Sequence, residues 1–397
     1  FNSFGATTRL SDFVWSANRR SGVTQKAFNE YWTSAQRQSH SLHEVSYRAC
    51  FKPQLPGFFI SRLCDSGDAV YDPFMGRGTT PLEAFLRGCK PLGNDINPLS
   101  VALLAPRLDP PKLQEIIDRL VTIDLTVAQE TFAELEVFFH PETLTQIIAL
   151  KEYLLKREQS GDIDRVDRWI RMVAINRLTG HSPGFFSVYS LPPNQAVSIE
   201  AQRKINEARN QLPEAKEIVP RIIRRSQSLL KNCSELQSNY QHEQLKPVLT
   251  TGPAENAAGI RSGTVQLVVT SPPFLDVVDY QTDNWMRCWF LGVNSSTIEI
   301  SHHKSSNDWQ QLMTAVLTDL HRILKPGGYV AFEVGEVRNG KLLLEELVLP
   351  AGVNAGLEPV VIMVNVQEFT KTANAWGVDN QIKGTNTNRI VVFRKEP

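Results

Sequence analysis

The stretch DAVYDPFMGRGTTPLEAFLRGCKPLGNDINPLS, residues 68–100, decides the fold. An apolar run predicts a strand over 69–72, Gly76 and Gly78 predict a tight turn, and the following residues predict a helix over 79–88. A second strand is expected over 91–95, with a loop opened by Pro98. Strand, glycine turn, helix and strand in that order make a β-α-β unit, hence a parallel sheet. Glycines at such a turn let a ligand approach the backbone closely. A triphosphate cradle would need a lysine after the turn, which is absent, and a dinucleotide fingerprint would need glycine where Pro81 stands.

A nucleoside carrying little phosphate suits this turn, and S-adenosylmethionine is such a ligand. Asp95 ends the second strand seventeen residues after Gly78, where a carboxylate can accept both ribose hydroxyls. The second informative stretch is VQLVVTSPPFLDVVDY, residues 265–280. A β-branched strand stops at Pro272 and Pro273, which cannot donate to a ladder and hold their carbonyls rigidly. Ser271 and a proline carbonyl can accept the two hydrogens of an exocyclic amine, while Phe274 offers a face for a flipped-out base. Direct displacement at a sulfonium methyl then needs mainly positioning and electrostatics.

Asp72-Pro73-Phe74-x-Gly76-x-Gly78-Thr79-Thr80 together with Ser271-Pro272-Pro273-Phe274 resembles the S-adenosylmethionine-dependent DNA amino-methyltransferases of bacterial restriction–modification type. The resemblance covers roughly 45–105 and 246–397 and is silent on 106–245. It implies that Asp72, Pro73, Phe74, Gly76, Gly78, Thr79, Thr80 and Asp95 bind the donor, and that Ser271, Pro272, Pro273 and Phe274 carry catalysis. FKPQLPGFFISRL looks like the helix that closes over the methionine part of the cofactor. In this family a serine before the proline pair points to cytosine N4, and Asp or Asn to adenine N6. The carbon-5 class needs a Pro-Cys pair. Ala49, Leu63, Gly88, Asn232 and Arg287 precede the five cysteines, which excludes it.

The remaining chain fits this frame. Of 397 residues, 42% are hydrophobic and 21% charged, with zero formal net charge, so composition alone announces no nucleic-acid partner. The scattered cysteines argue against a disulfide framework or a zinc site, and His302 and His303 lack companion ligands, so no metal is expected. No apolar run of about 18 residues and no leader is present, so the expectation is a cytoplasmic, nucleoid-associated protein without a membrane span. Helices are expected around 23–38, 54–64, 308–324 and 341–350, a turn at 324–328, and strands over 246–252, 265–270, 329–337, 359–369 and 389–395. The last two strands are expected to form an antiparallel hairpin at one end of the sheet.

The expected architecture is a Rossmann-like α/β sheet, mostly parallel, split by a helical insertion. The expected segments are 1–70 with the cofactor-closing helix, 71–105 with 246–397 as the catalytic methyltransferase domain, and 106–245 as a helical insertion expected to recognise the DNA target. From 160 to 232 twelve basic residues face seven acidic ones, a net of +5, which suits phosphate contact. Arg221, Arg224 and Arg225, with His181, Asn194 and Gln195 in the aromatic loop 180–198, are the candidate DNA contacts. Phe185, Phe186 and Tyr189 of that loop could wedge into the duplex. Asp276, Asp279 and Tyr280 after the catalytic turn, and Asn374 and Trp376 in the hairpin loop, are candidates to border the base. Double-stranded DNA is the expected partner, with a cognate restriction endonuclease in the same system. An adenine N6 enzyme, an RNA amine methyltransferase and a non-catalytic relic stay open as alternatives.

Overall fold

The computed structural model describes residues 7–397 except 18, 33–38, 49, 192–195, 234–244, 276–279, 299–304, 338–340 and 367–386. The chain opens with two strands, β1 (Arg9–Ala17) and β2 (Arg20–Asn29), paired antiparallel with Val14 opposite Val23. This corrects the helix expected over 23–38, whose residues 33–38 lie outside the described ones. The later strand β10 (Glu358–Val366) runs parallel to β2, pairing Ile362 with Lys26 through Asn365 with Asn29. Such pairing overrides local propensity.

Next come α1 (Gln54–Leu63), β3 (Ala69–Asp72), α2 (Thr79–Leu86), β4 (Lys90–Asp95) and α3 (Pro98–Leu108). Pro98 therefore opens a helix instead of a loop. The Asn97 side chain accepts from the Leu99 amide at 2.9 Å, and proline at the first helical position costs no hydrogen bond. The insertion supplies α4 (Leu113–Thr122), α5 (Pro141–Gln159), α6 (Arg165–Ile175), α7 (Ile199–Arg209) and α8 (Ile218–Leu229). Then follow β5 (Val248–Thr251), β6 (Val265–Thr270), α9 (Tyr280–Leu291), α10 (Ser306–Ile323) and β7 (Leu324–Val334). Residues 324–328, expected as a turn, are already strand. Short strands β8 (Glu336–Val337) and β9 (Leu342–Leu343), α11 (Glu345–Asn354), β10 and β11 (Thr387–Arg394) complete the order.

The nine-stranded sheet runs β1-β2-β10-β11-β7-β6-β3-β4-β5. From β7 to β5 all pairings are parallel, and β10–β11 is the expected antiparallel hairpin. It lies inside the sheet, because β1 and β2 extend it outward. Central strands are buried on both faces, as parallel sheets require. Val70, Leu267 and Ala331 pack under Phe58 and Phe59 of α1. Tyr71, Val268 and Val330 pack under Met313, Leu317 and Leu320 of α10. A third apolar group joins Leu82 and Leu103 to Ile147, Trp169 and Ile222 of the helices between β4 and β5 and to Phe290 of α9, so those helices share a core with the sheet's own helices. Among the described residues no helix is long and apolar enough to cross a membrane, and no group of three His, Cys, Asp or Glu side chains could hold a metal.

Candidate functional site

The strand order reverses around β3, which has β4 on one side and β6 on the other. A crevice is expected at the carboxyl ends of strands at such a point. A cavity of about 300 Å³ lies there, lined by Phe74, Gly76, Thr79, Asp95, Ser271 and Pro273 among others. The glycine turn and the Ser271–Phe274 turn, nearly two hundred residues apart in sequence, thus share one cavity.

The two glycines of the turn do different work. Gly76 has φ 51°, lines the cavity and donates its amide to Asp95 Oδ2 at 2.8 Å. Gly78 has φ 80°, and a Cβ there would meet Leu104 of α3 at 2.6 Å, so its role is helix packing. Thr79 lines the cavity, whereas the buried Thr80 donates to the Val269 carbonyl at 2.9 Å and ties α2 to β6. Between the glycines, Arg77 donates to the carbonyls of His43, Val45 and Phe51 at 3.3, 2.9 and 3.4 Å. Those contacts pull residues 43–51 over the turn, placing Tyr47, Cys50 and Phe51 in the cavity wall.

Two carboxyls flank the turn. Asp95 accepts the Gly76 amide on Oδ2 and the Asn97 amide on Oδ1 at 2.9 Å, leaving each oxygen a further lone pair; burial pushes its pKa up. Asp72 is buried, and burial pushes its carboxyl up to about 7 against hydrogen bonds from Thr270 and Phe74. The Thr270 hydroxyl donates to Asp72 Oδ1 at 2.6 Å and the Phe74 amide at 3.1 Å, while Oδ2 has no hydrogen-bond partner. Pro73 and Phe74 both line the cavity.

At the catalytic turn, Ser271 and Pro273 face the cavity, and Pro272 is buried. The Pro273 carbonyl is engaged by the indole N–H of Trp309 at 2.9 Å. Pro272 is not among the residues that line the cavity, and among the described residues its carbonyl accepts no hydrogen bond. Phe274 is half-buried against the core beneath α10 and is not part of the cavity lining. Tyr280 begins α9; Asp276, Asp279, Asn374 and Trp376 lie outside the described residues.

The insertion's cations are largely engaged. Arg165 pairs with Glu115, Arg171 with Glu158, Lys204 with Glu200 and Arg225 with Glu44. Arg221 donates to the carbonyls of Pro183 and Glu217, at 3.1 and 2.8 Å. Among the described residues Arg168, Arg203, Arg224 and Lys231 are exposed without a protein partner. His181 lies half-exposed with its ring 6.4 Å from that of Phe185, and Asn194 and Gln195 lie outside the described residues. Phe185 and Phe186 are buried, which removes them as wedges, and Arg209 covers the Tyr189 ring at 3.8 Å.

Sequence reasoning missed Trp309, Arg77 and the residues Tyr47, Cys50 and Phe51. Arg77 had a local signal, a charge set between two glycines. Trp309 had none, because an apolar helix position does not reveal what its indole N–H reaches.

The fold is the Rossmann-like sheet of the S-adenosylmethionine methyltransferases, with its terminal hairpin and ligand crevice. The family model described as DNA methylase, of the N6/N4 methyltransferase type, matches residues 13–104. Through these residues the chain is similar to the S-adenosylmethionine-dependent DNA amino-methyltransferases. It is 23% identical over 300 residues to the type II methyltransferase M.BsoBI of Geobacillus stearothermophilus, covering 69% of this chain and 57% of that one. It is 30% identical over 95 residues to M.MjaII of Methanocaldococcus jannaschii, covering 24% and 17%. The chain thus spans less than two thirds of the length of these relatives. TrmN from Thermus thermophilus overlays with 11% identity and a TM-score of 0.37, covering 89% of this chain and 52% of that one. S-adenosylmethionine is the cofactor of that family, and the cavity fits it: Asp95 lines it and keeps acceptor capacity beside Gly76, whereas Asp72, with its Oδ2 buried and unsatisfied, is not among the lining residues.

Proposed function

We propose that this protein methylates an exocyclic amine of a base in a specific site of duplex DNA, and that the amine is cytosine N4. The observation that carries the proposal is the shared cavity, which sets Ser271 beside Gly76, Thr79 and Asp95. When bound, S-adenosylmethionine supplies an electrophilic methyl on its sulfonium. The protein's part is placement: Asp95 holds the ribose, and Asp72 and the Phe74 region hold the remainder of the donor. Ser271 Oγ and the Pro272 carbonyl accept the two amine hydrogens, which turns the nitrogen lone pair toward the methyl. The base reaches this cavity by leaving the helix stack, since a duplex cannot enter a pocket of this size.

Residues 106–245 are proposed as the target-recognition element, with Arg168, Arg203, Arg224 and Lys231 as its phosphate contacts. A partner nuclease cutting the unmethylated site, and a place beside the nucleoid DNA, complete the proposal. The test is transfer of labelled methyl from S-adenosylmethionine to duplex DNA of mixed sequence and, in parallel, to structured RNA, with digestion to nucleosides. Labelled N4-methylcytosine is expected. N6-methyladenine would move the target to adenine, label in RNA alone would move the substrate, and donor binding without transfer would make the chain a relic.

A further inference from the structure

Glu333 is a buried acid that the donor and acceptor motifs do not account for. It lies near the carboxyl end of β7, only 5% exposed, on the face of the sheet covered by α1. In the parallel pairing of β6 with β7, Thr270 is level with Phe332, so Ser271 and Glu333 are the next residues on adjacent strands. Alternation puts both on one face, which sets the Ser271 side chain beside the Glu333 carboxyl. On its other side, Asn388 of β11 donates its amide to Glu333 Oε1. The carboxyl is thus held between a fixed amide and the hydroxyl that faces the cavity.

The surroundings leave it electrically isolated among the described residues. Level with Asn388 stands Asn365 of β10, whose side-chain oxygen is occupied by the amides of Tyr31 and Trp32. The Tyr31 hydroxyl donates to the Ala27 carbonyl, and Phe58 and Phe59 of α1 are apolar. Arg389, the nearest cation along β11, alternates to the opposite face and pairs with Glu345 and Glu336. Burial pushes the Glu333 carboxyl up to about 7, against the hydrogen bonds of Asn388 and Ser271, so near neutral pH it can change its proton.

We propose that Glu333 is a positioning residue that takes up, through Ser271, the proton leaving the methylated amine. The inference rests on the amine-methylation reading above. As the N–CH3 bond forms and the CH3–S bond breaks, the nitrogen carries one hydrogen too many. That proton passes to Ser271 Oγ while the serine's own proton passes to the Glu333 carboxylate. The products are the neutral methylated amine, a neutral sulfide and a Glu333 carboxylic acid, which later gives its proton to water.

Glu333→Gln keeps the size of the side chain and an acceptor for Asn388. Its single-turnover methyl transfer is expected to fall about 100-fold, with donor and DNA affinities within about twofold of wild type. A second readout needs no turnover. The infrared carboxyl band that Glu333→Gln removes should titrate near neutral pH, and Ser271→Ala should move that titration upward, because it removes a donor to the anion. A Glu333→Gln rate within threefold of wild type, or a titration unmoved by Ser271→Ala, would overturn the inference. If the wild-type protein transfers no methyl to DNA, the functional reading fails, while the infrared titration still decides whether the two side chains are coupled.

Discussion

The Trp309 indole N–H donates to the Pro273 carbonyl at 2.9 Å. One helix of the second core therefore grips the Ser271–Phe274 turn through its second proline. Trp309 is 2% exposed, so the grip is made away from solvent. Trp309→Phe keeps most of the packing and removes the donor. It should cost about 1–3 kcal/mol through the unsatisfied carbonyl. Methyl transfer should fall roughly tenfold with donor affinity unchanged, since geometry at the turn loosens by fractions of an ångström. Thermal melting and transfer kinetics on one preparation check both effects; equal activity would remove Trp309 from the site.

Asp95→Asn replaces an acceptor pair by one acceptor and one amide. Either Gly76 or Asn97 then faces a donor, and a ribose hydroxyl loses its acceptor. Affinity for S-adenosylmethionine should weaken by about 10- to 100-fold, or roughly 1.4–2.8 kcal/mol, in a calorimetric titration. Unchanged affinity would show that the ribose is held elsewhere.

Asp72 gives a pH signature. Its carboxyl is pushed up to about 7 in the folded protein by burial, from an ordinary value of 3.8. Between those values the folded state binds more protons than the unfolded one, so this group's contribution to stability falls as pH rises through the window. Asp72→Asn should melt closer to wild type at pH 5 than at pH 8, and at pH 8 should gain relative stability. Identical pH dependence in both proteins would contradict a buried, raised carboxyl. Donor affinity should drop in the same variant.

The inserted helices turn on Asp167, whose side chain is fully buried and accepts from Arg119 and from Arg157 Nε at 2.6 Å. Asp164 completes the group, accepting from Arg119 at 2.7 Å. Asp167→Ala removes the buried partner that Arg119 and Arg157 share, leaving them Asp164 alone, and should cost about 1–3 kcal/mol. Hydrogen exchange should show α4, α5 and α6 opening together, with β3 and β6 retaining more protection.

For DNA contact the engaged and free cations should separate. Arg224→Ala with Lys231→Ala should weaken duplex binding and reduce the salt slope by about 1–2, with melting unchanged. Arg225→Ala, which breaks the ion pair to Glu44, should lower stability as well. An Arg224/Lys231 double variant with wild-type DNA affinity would move the binding face elsewhere.

Much of the site was legible because strong local rules coincide there. A strand, two glycines and an aspartate at fixed spacing leave few conformations, and a proline pair must end a strand. The first hairpin was not legible: β2 is a strand because β10, more than three hundred residues later, pairs with it. Pro98 misled because proline opens helices as readily as it opens loops, and the deciding cap was Asn97. The density of arginine in the insertion was visible, but which arginines serve the fold was not. Arg165, Arg171 and Arg225 depend on carboxylates supplied from other elements.

The pairing of β2 with β10 also bears on how the chain stays dispersed. β10 carries PVVIMVNV, a run of β-branched and apolar residues with no charge. An uncovered strand of that composition is a template for cross-chain pairing and fibrous aggregation. In this fold the flank of β10 away from β11 is occupied by Lys26–Asn29, and the outermost position passes to β1, which bears Arg9 and Asp12. The opening hairpin thus acts as a gatekeeper, exchanging a sticky sheet margin for a charged one.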